Sequence, residues 1–242
     1  MHHHCTKAEL YREIHQLCEG LNITRDGYPL DMIQFCEERP DIEVACPCFK
    51  TPGLKGISCL STQGEPNVIL LNGTLSWKEN NFTCAHELIH ITLHKGGPAK
   101  SFNCFEKAKP NQDAFLEWQA NEGAAEILAP AHLLFPYIAE QYSQLTTWKD
   151  YGSFKAKLAS IFSVTEAVIT YRFESLKYEI SQYLAGTPLD RIQFLSASRQ
   201  RQAGISVRSL NDLEAELLHK ETATFKKIHD RKLNLRSIDI HS

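Results

Sequence analysis

The sequence predicts an α+β fold: a small antiparallel sheet packed on two helices, followed by a mainly helical C-terminal part. Three observations carry this. Short runs of β-forming residues, two of them joined across a Gly-containing turn, lie between 42 and 72. Apolar residues recur at helical spacing on both sides of that block. Two strongly marked helices, at 77–95 and 113–130, each place polar, chemistry-bearing residues inside apolar surroundings. At 242 residues, 43% hydrophobic and 23% charged, the chain can bury a sizeable core. No apolar run reaches 18 residues, so no transmembrane helix is expected, and the N-terminus lacks the apolar stretch of a secretory signal.

Taken in order, Lys7 to Glu19 carries Leu10, Ile14, Leu17 and Cys18 on one helical face. Pro29 to Cys36 reads as a short helix with Pro in its first turn. Ile42 to Cys46, Gly56 to Leu60 and Asn67 to Asn72 read as strands, the last two joined by a turn at Gln63-Gly64-Glu65-Pro66. Ala131 to Leu145 is helical. Phe154 to Leu176 has a helix-turn-helix pattern with its turn near 162–165. A DNA-reading helix should display basic or amide side chains, and this one offers only Arg172, so 154–176 reads as a packing unit. Asn211 to His219 looks helical within a tail whose 187–242 span holds 10 Lys/Arg against 7 Asp/Glu. That tail reads as a solvated end. The expected organisation is a core at 1–140, a helical segment at 141–186 and a partly helical tail at 187–242.

All eight cysteines lie at or before Cys104. Without a signal segment, reduced and mostly packed thiols are the preferred reading, which implies a cytoplasmic protein. Cys46-Pro47-Cys48, with Cys36 and Cys59, is the lesser alternative of a structural metal site.

The stretch Thr83-Cys84-Ala85-His86-Glu87-Leu88-Ile89-His90-Ile91-Thr92-Leu93-His94 contains H-E-x-x-H. Ser76 and Glu79 form a capping box ahead of it, and Gly96-Gly97-Pro98 stops the helix behind it. Residues i and i+4 stand on one helix face, so His86 and His90 can hold one zinc ion, and Glu87 can serve as general base on a water that the ion activates. His94 continues the same face. Three histidines at i, i+4 and i+8 span about 12 Å and cannot converge on one ion, so His94 reads as a supporting or helix-end residue.

A catalytic zinc takes a third protein ligand. On the helix closed by Pro130, positions 114, 117, 118, 121, 124, 125 and 128 share a face. Glu117 interrupts that apolar stripe, while Glu122 and Glu126 project well away from it. A core-facing carboxylate needs a positive partner, either a metal ion or a Lys or Arg side chain. Asn121, one turn on, either hydrogen-bonds a metal ligand or is a packed polar residue.

Phe82 to His90, followed by Glu117-Trp118-Gln119-Ala120-Asn121-Glu122-Gly123-Ala124-Ala125-Glu126-Ile127-Leu128-Ala129-Pro130, resembles the ImmA/IrrE family of metallopeptidases. Its pattern is F-T-x-A-H-E-x-x-H and later E-x-x-A-N-x-F-A-A-x-L-L-M-P. The resemblance implies a zincin-like minimal core, His86, His90 and Glu117 as metal ligands, and Glu87 as catalytic acid/base. It further implies a phage or mobile-element type of protein that cleaves a helix-turn-helix transcriptional repressor. Gly123, Ile127 and Ala129 depart from the pattern at packing positions. The ligand set would take Zn²⁺, Mn²⁺ or another divalent ion. A tyrosine among Tyr137, Tyr142, Tyr151 and Tyr171 is a candidate to steady the oxyanion. The alternative function is a non-proteolytic regulator that sequesters a repressor or binds DNA; the intact Glu87 argues against it.

Overall fold

The computed structural model describes residues 5–61, 64–97, 100–107, 109–110 and 112–238. Gln63 of the expected turn and Pro98 of the expected helix stop lie outside the described residues.

Helix α1 (Lys7–Gly20) opens with a Thr6/Glu9 capping box and buries Leu10, Tyr11 and Ile14. Helix α2 (Met32–Glu37) starts later than the sequence suggests. Asp31 caps it by accepting from the Gln34 amide at 3.0 Å, so Pro29 precedes the helix instead of sitting in its first turn. Strands β1 (Ile42–Ala45), β2 (Leu54–Cys59) and β3 (Asn67–Leu71) follow, and a fourth, β4 (Ser101–Phe105), completes the sheet.

The strand order is β1-β3-β2-β4. The β2–β3 hairpin is antiparallel as expected, β4 also pairs antiparallel with β2, but β1 pairs with β3 in parallel. The sheet is therefore mixed and not wholly antiparallel. Strands β3, β2 and β4 alternate in direction, and β1 joins the free side of β3 and runs the same way as it. Strand β4 was hidden because its apolar alternation is only five residues long. In place its pattern is clear: Phe102 and Cys104 are buried and Ser101 and Asn103 are exposed.

Helix α3 (Trp77–Leu93) packs between the sheet and α4 (Ala114–Leu128). Its Ser76/Glu79 capping box is present, and the helix ends at Leu93, two residues short of the expected 95, with His94 as its C-cap. Helices α5 (Ala131–Tyr142), α6 (Trp148–Ile161) and α7 (Glu166–Ser175) continue the chain, with the α6–α7 turn at 162–165. Then come α8 (Lys177–Leu184), α9 (Ala197–Gln202) and a long α10 (Leu210–Ile238). Only the start of α10 was legible in advance.

Arg172 of α7 is fully buried, so it is not available to read DNA. Its guanidinium donates to Tyr11 Oη at 2.8 Å, to the Ala129 carbonyl at 3.0 Å, and to Glu126. Tyr11 and Tyr171 both donate to Glu122, at 2.5 and 2.6 Å. Beside this cluster Lys7 pairs with Glu179 at 3.0 Å. Glu122 and Glu126 thus point away from Glu117 as expected, but into the protein and not into solvent. Burial opposes ionisation of Glu122, yet Lys7 and Arg172 outweigh it and hold the carboxyl below its usual range.

Removing one member of such a network leaves the others buried and unpaired. Arg172→Met should lower unfolding free energy by about 3–5 kcal/mol, read from urea or guanidinium midpoints at unchanged slope.

Candidate metal centre

Helix α3 brings His86 and His90 onto one face, both with no exposed surface, and their Nε2 atoms lie 3.1 Å apart. Helix α4 sets Glu117 across from them: its carboxylate oxygens stand 3.4 Å from His86 Nε2 and 3.7 Å from His90 Nε2. Three donors placed about 2.0–2.2 Å from one tetrahedral centre sit roughly 3.4 Å from one another. The observed spacings bracket that value, and two imidazoles with one carboxylate form a donor set that could hold a divalent ion.

The supporting contacts fix each ring. His86 Nδ1 lies 3.1 Å from Asn121 Oδ1, so the packed-residue alternative for Asn121 gives way to a hydrogen bond with a candidate ligand. His90 Nδ1 lies 2.8 Å from His94 Nδ1, and His94 Nε2 lies 3.1 Å from Gln119 Oε1. His94 is therefore both the C-cap of α3 and a partner of His90. The His90 ring stacks on Phe102 at 4.2 Å between centroids, which ties β4 to the site. Burial first, then the nearby His86 and His94, pull His90 down to about 2, leaving its imidazole neutral with a free lone pair. For His86, burial acts downward, but Cys104, Glu117 and Glu87 outweigh it and the net direction is upward.

Glu87 is fully buried between α3 and β2. Ser58 Oγ donates to its Oε2 at 2.5 Å, while Oε1 has no hydrogen-bond partner. Desolvation pushes its carboxyl up to about 7, opposed by His86, Ser58 and the Cys104 backbone N–H and reinforced by Glu117. A carboxyl poised there exchanges protons readily near neutral pH. Room for it comes from Gly56 of β2: a Cβ at that position would lie 2.5 Å from Thr83 Cγ2 and 2.9 Å from Glu87 Oε1. On the other side of α3, a Cβ at Gly123 would lie 2.8 Å from Ile89 Cδ1 and Cγ1. The family-pattern departure at Gly123 therefore has a local reason, the close approach of α4 to α3.

Sequence reasoning missed Ser58, Phe102, Cys104 and Gln119. Only the alternation of β4 hinted at any of them. Of the oxyanion candidates, Tyr171 has its hydroxyl committed to Glu122, and Tyr137 packs edge-on to Phe162. The cysteines are all free thiols, with Cys46 and Cys48 exposed and Cys36 buried, and no possible metal grouping among the described residues includes Cys36, Cys46, Cys48 or Cys59.

A family model described as the IrrE N-terminal-like domain, peptidase family M78, matches residues 38–174, more than half of the chain. No curated protein is significantly similar to the chain.

Gly56→Ala should destabilise the protein by about 1–3 kcal/mol through overpacking against Thr83 and Glu87. Gly20→Ala, at a helical position with nothing within 4 Å, should be neutral or slightly stabilising. Parallel denaturant titrations of the two variants check the contrast.

Proposed function

The chain belongs to the IrrE N-terminal-like family of peptidases, and from that premise we propose that it is a metal-dependent endopeptidase, with His86, His90 and Glu117 holding zinc or another divalent cation and Glu87 as general base. The carrying observation is the convergence of the two Nε2 atoms and the Glu117 carboxylate within 3.1–3.7 Å, beside a buried carboxylate with a free oxygen. When bound, the cation would polarise the scissile carbonyl and acidify a water.

The chain's own residues do the rest. Glu87 takes the proton of the attacking water on Oε1, while Ser58 holds Oε2 and keeps the carboxylate aimed. Glu87 then passes that proton to the leaving amine as the peptide bond breaks. Asn121 and His94 orient the two imidazoles through their Nδ1 atoms. Strand β4 is a sheet edge, and Phe102 joins it to His90, which supports an extended substrate segment adding along β4. Gln112 already donates to the Asn103 carbonyl at 2.6 Å, so that segment would begin short of it or displace the contact. Among the described residues no helix is long and apolar enough to cross a membrane.

We take the substrate to be a helix-turn-helix transcriptional repressor, on the resemblance of the two motif stretches to the ImmA/IrrE family. A regulator that only sequesters such a repressor has no use for a buried, unpartnered Glu87 oxygen, so hydrolysis is the better reading.

Incubation with a helix-turn-helix repressor, sought first among the products of the neighbouring genes, separates the two. Wild type should yield fragments, and Glu87→Gln should bind metal equally but cleave about 10²–10⁴-fold more slowly. Equal relief of repression by both proteins without fragments would refute the peptidase reading. Glu117→Ala should lose the metal, and Asn121→Ala should weaken its binding about 10–100-fold, both measured by metal content after dialysis against graded chelator.

A further inference from the structure

A second grouping shares His86 with the first. His86, Glu87 and Cys104 each offer a ligand atom, all within 4.8 Å of one another, and all three residues are buried. Cys104 reaches this position from β4, two residues beyond the Phe102 that stacks on His90. Its partner strand β2 supplies Ser58, whose hydroxyl occupies one oxygen of Glu87. The Cys104 backbone N–H also acts on this carboxylate and the Cys104 thiol hydrogen-bonds His86, yet Oε1 is left buried without a hydrogen bond of normal geometry, and no Lys or Arg pairs with Glu87 among the described residues. A buried carboxylate oxygen in that state calls for a cation or a water.

We infer that His86, Glu87 and Cys104 form a second metal position, alternative to the first, that takes thiophilic divalent ions and holds the protein inactive. The inference rests on the metal-site reading above. The donor set is one nitrogen, one oxygen and one sulfur, and its thiolate suits soft ions such as Cd²⁺. The two-imidazole, one-carboxylate set remains the better fit for Zn²⁺ and harder ions such as Mn²⁺. The positions exclude each other because His86 is common to both. Its Nδ1 is engaged by Asn121, so Nε2 is the one nitrogen left for either ion. An ion in the second position makes Glu87 a ligand, and its lone pair is then no longer free to accept a proton from water. Binding there forms one metal–sulfur bond and releases the Cys104 thiol proton to solvent; nothing is oxidised or reduced.

The test is a cadmium titration of the metal-free, full-length protein carrying Cys46→Ser and Cys48→Ser, because that exposed pair would also bind the ion. One equivalent of Cd²⁺ should produce ultraviolet sulfur-to-cadmium charge-transfer absorption. Adding Cys104→Ser should abolish the band while one ion is still retained. Adding His90→Ala or Glu117→Ala instead should leave the band in place, since neither residue belongs to the second position. Retained cadmium without a band, or a band unchanged by Cys104→Ser, overturns the inference and leaves the first site standing. A band lost with His90→Ala and with Glu117→Ala also overturns it, by putting Cys104 on the first ion. No retained ion in any of the folded proteins ends both readings. Cys104→Ala, checked by far-ultraviolet circular dichroism, replaces the serine variant should a buried hydroxyl prevent folding.

Discussion

The separation between α3 and α4 governs everything at the candidate centre. His86 and His90 ride on one helix and Glu117 on the other, so a shift of one side-chain thickness would take the carboxylate out of reach of a shared ion. Small residues hold the helices close: Ala120, Gly123 and Ala124 are all fully buried or nearly so along α4, and Ile89 of α3 fills the space that a Cβ at Gly123 would need. A mid-helix glycine costs about 1 kcal/mol against alanine. Here that cost is offset by packing that a larger residue would push apart. Gly56 plays the same part on the sheet side of α3, where it admits the Glu87 carboxylate.

Distance alone does not set which face of α4 looks at the imidazoles. That is the work of the charge cluster behind it. Glu122 and Glu126 meet Tyr11, Tyr171 and Arg172 on the side away from Glu117. A helix turns about 100° per residue, so slipping α4 by one position would swing Glu117 off the site and unpair two buried carboxylates together. Buried ion pairs often add little net stability over apolar replacements. Their value here is orientation: wrong registers of α4 are penalised far more than the right one is rewarded.

Much of this was legible in the sequence, and the boundary is physical. His86, His90, Glu87, Glu117 and Asn121 sit on two helices with strong caps and regular periodicity, so relative positions along each helix follow from geometry. The capping box at Ser76 and Glu79 and the stop before Pro130 are local chemistry, readable from a few neighbouring residues. That β1 joins β3, and runs parallel to it, is a long-range choice with no local signature. Strand β4 is too short to announce itself, and with it Phe102 and Cys104 went unseen. Arg172 was noticed as the only basic residue of its helix, yet its partners lie 43 to 161 positions away, beyond any periodicity argument. Glu117 was expected among apolar neighbours and is indeed half-buried, while the fully buried glutamates of α4 are on the opposite side.

The family match ends at 174 and begins at 38, but the cluster that orients α4 does not respect those limits. Arg172 lies just inside the matched segment. Tyr11 and Lys7 come from α1, ahead of it, and Glu179 comes from α8, behind it. Lys7 also donates to the Ser175 carbonyl at the end of α7. The flanks therefore close the same electrostatic loop that fixes Glu117, and α1 packs on α4, where Tyr11 reaches Glu122 on the side away from Glu117. Isolating the matched segment would strip Tyr11 from Arg172 and Glu122 and expose the charges that hold the ligand helix in register. On physical grounds the functional unit is larger than the recognisable one, because its ligand geometry is maintained from outside the motif.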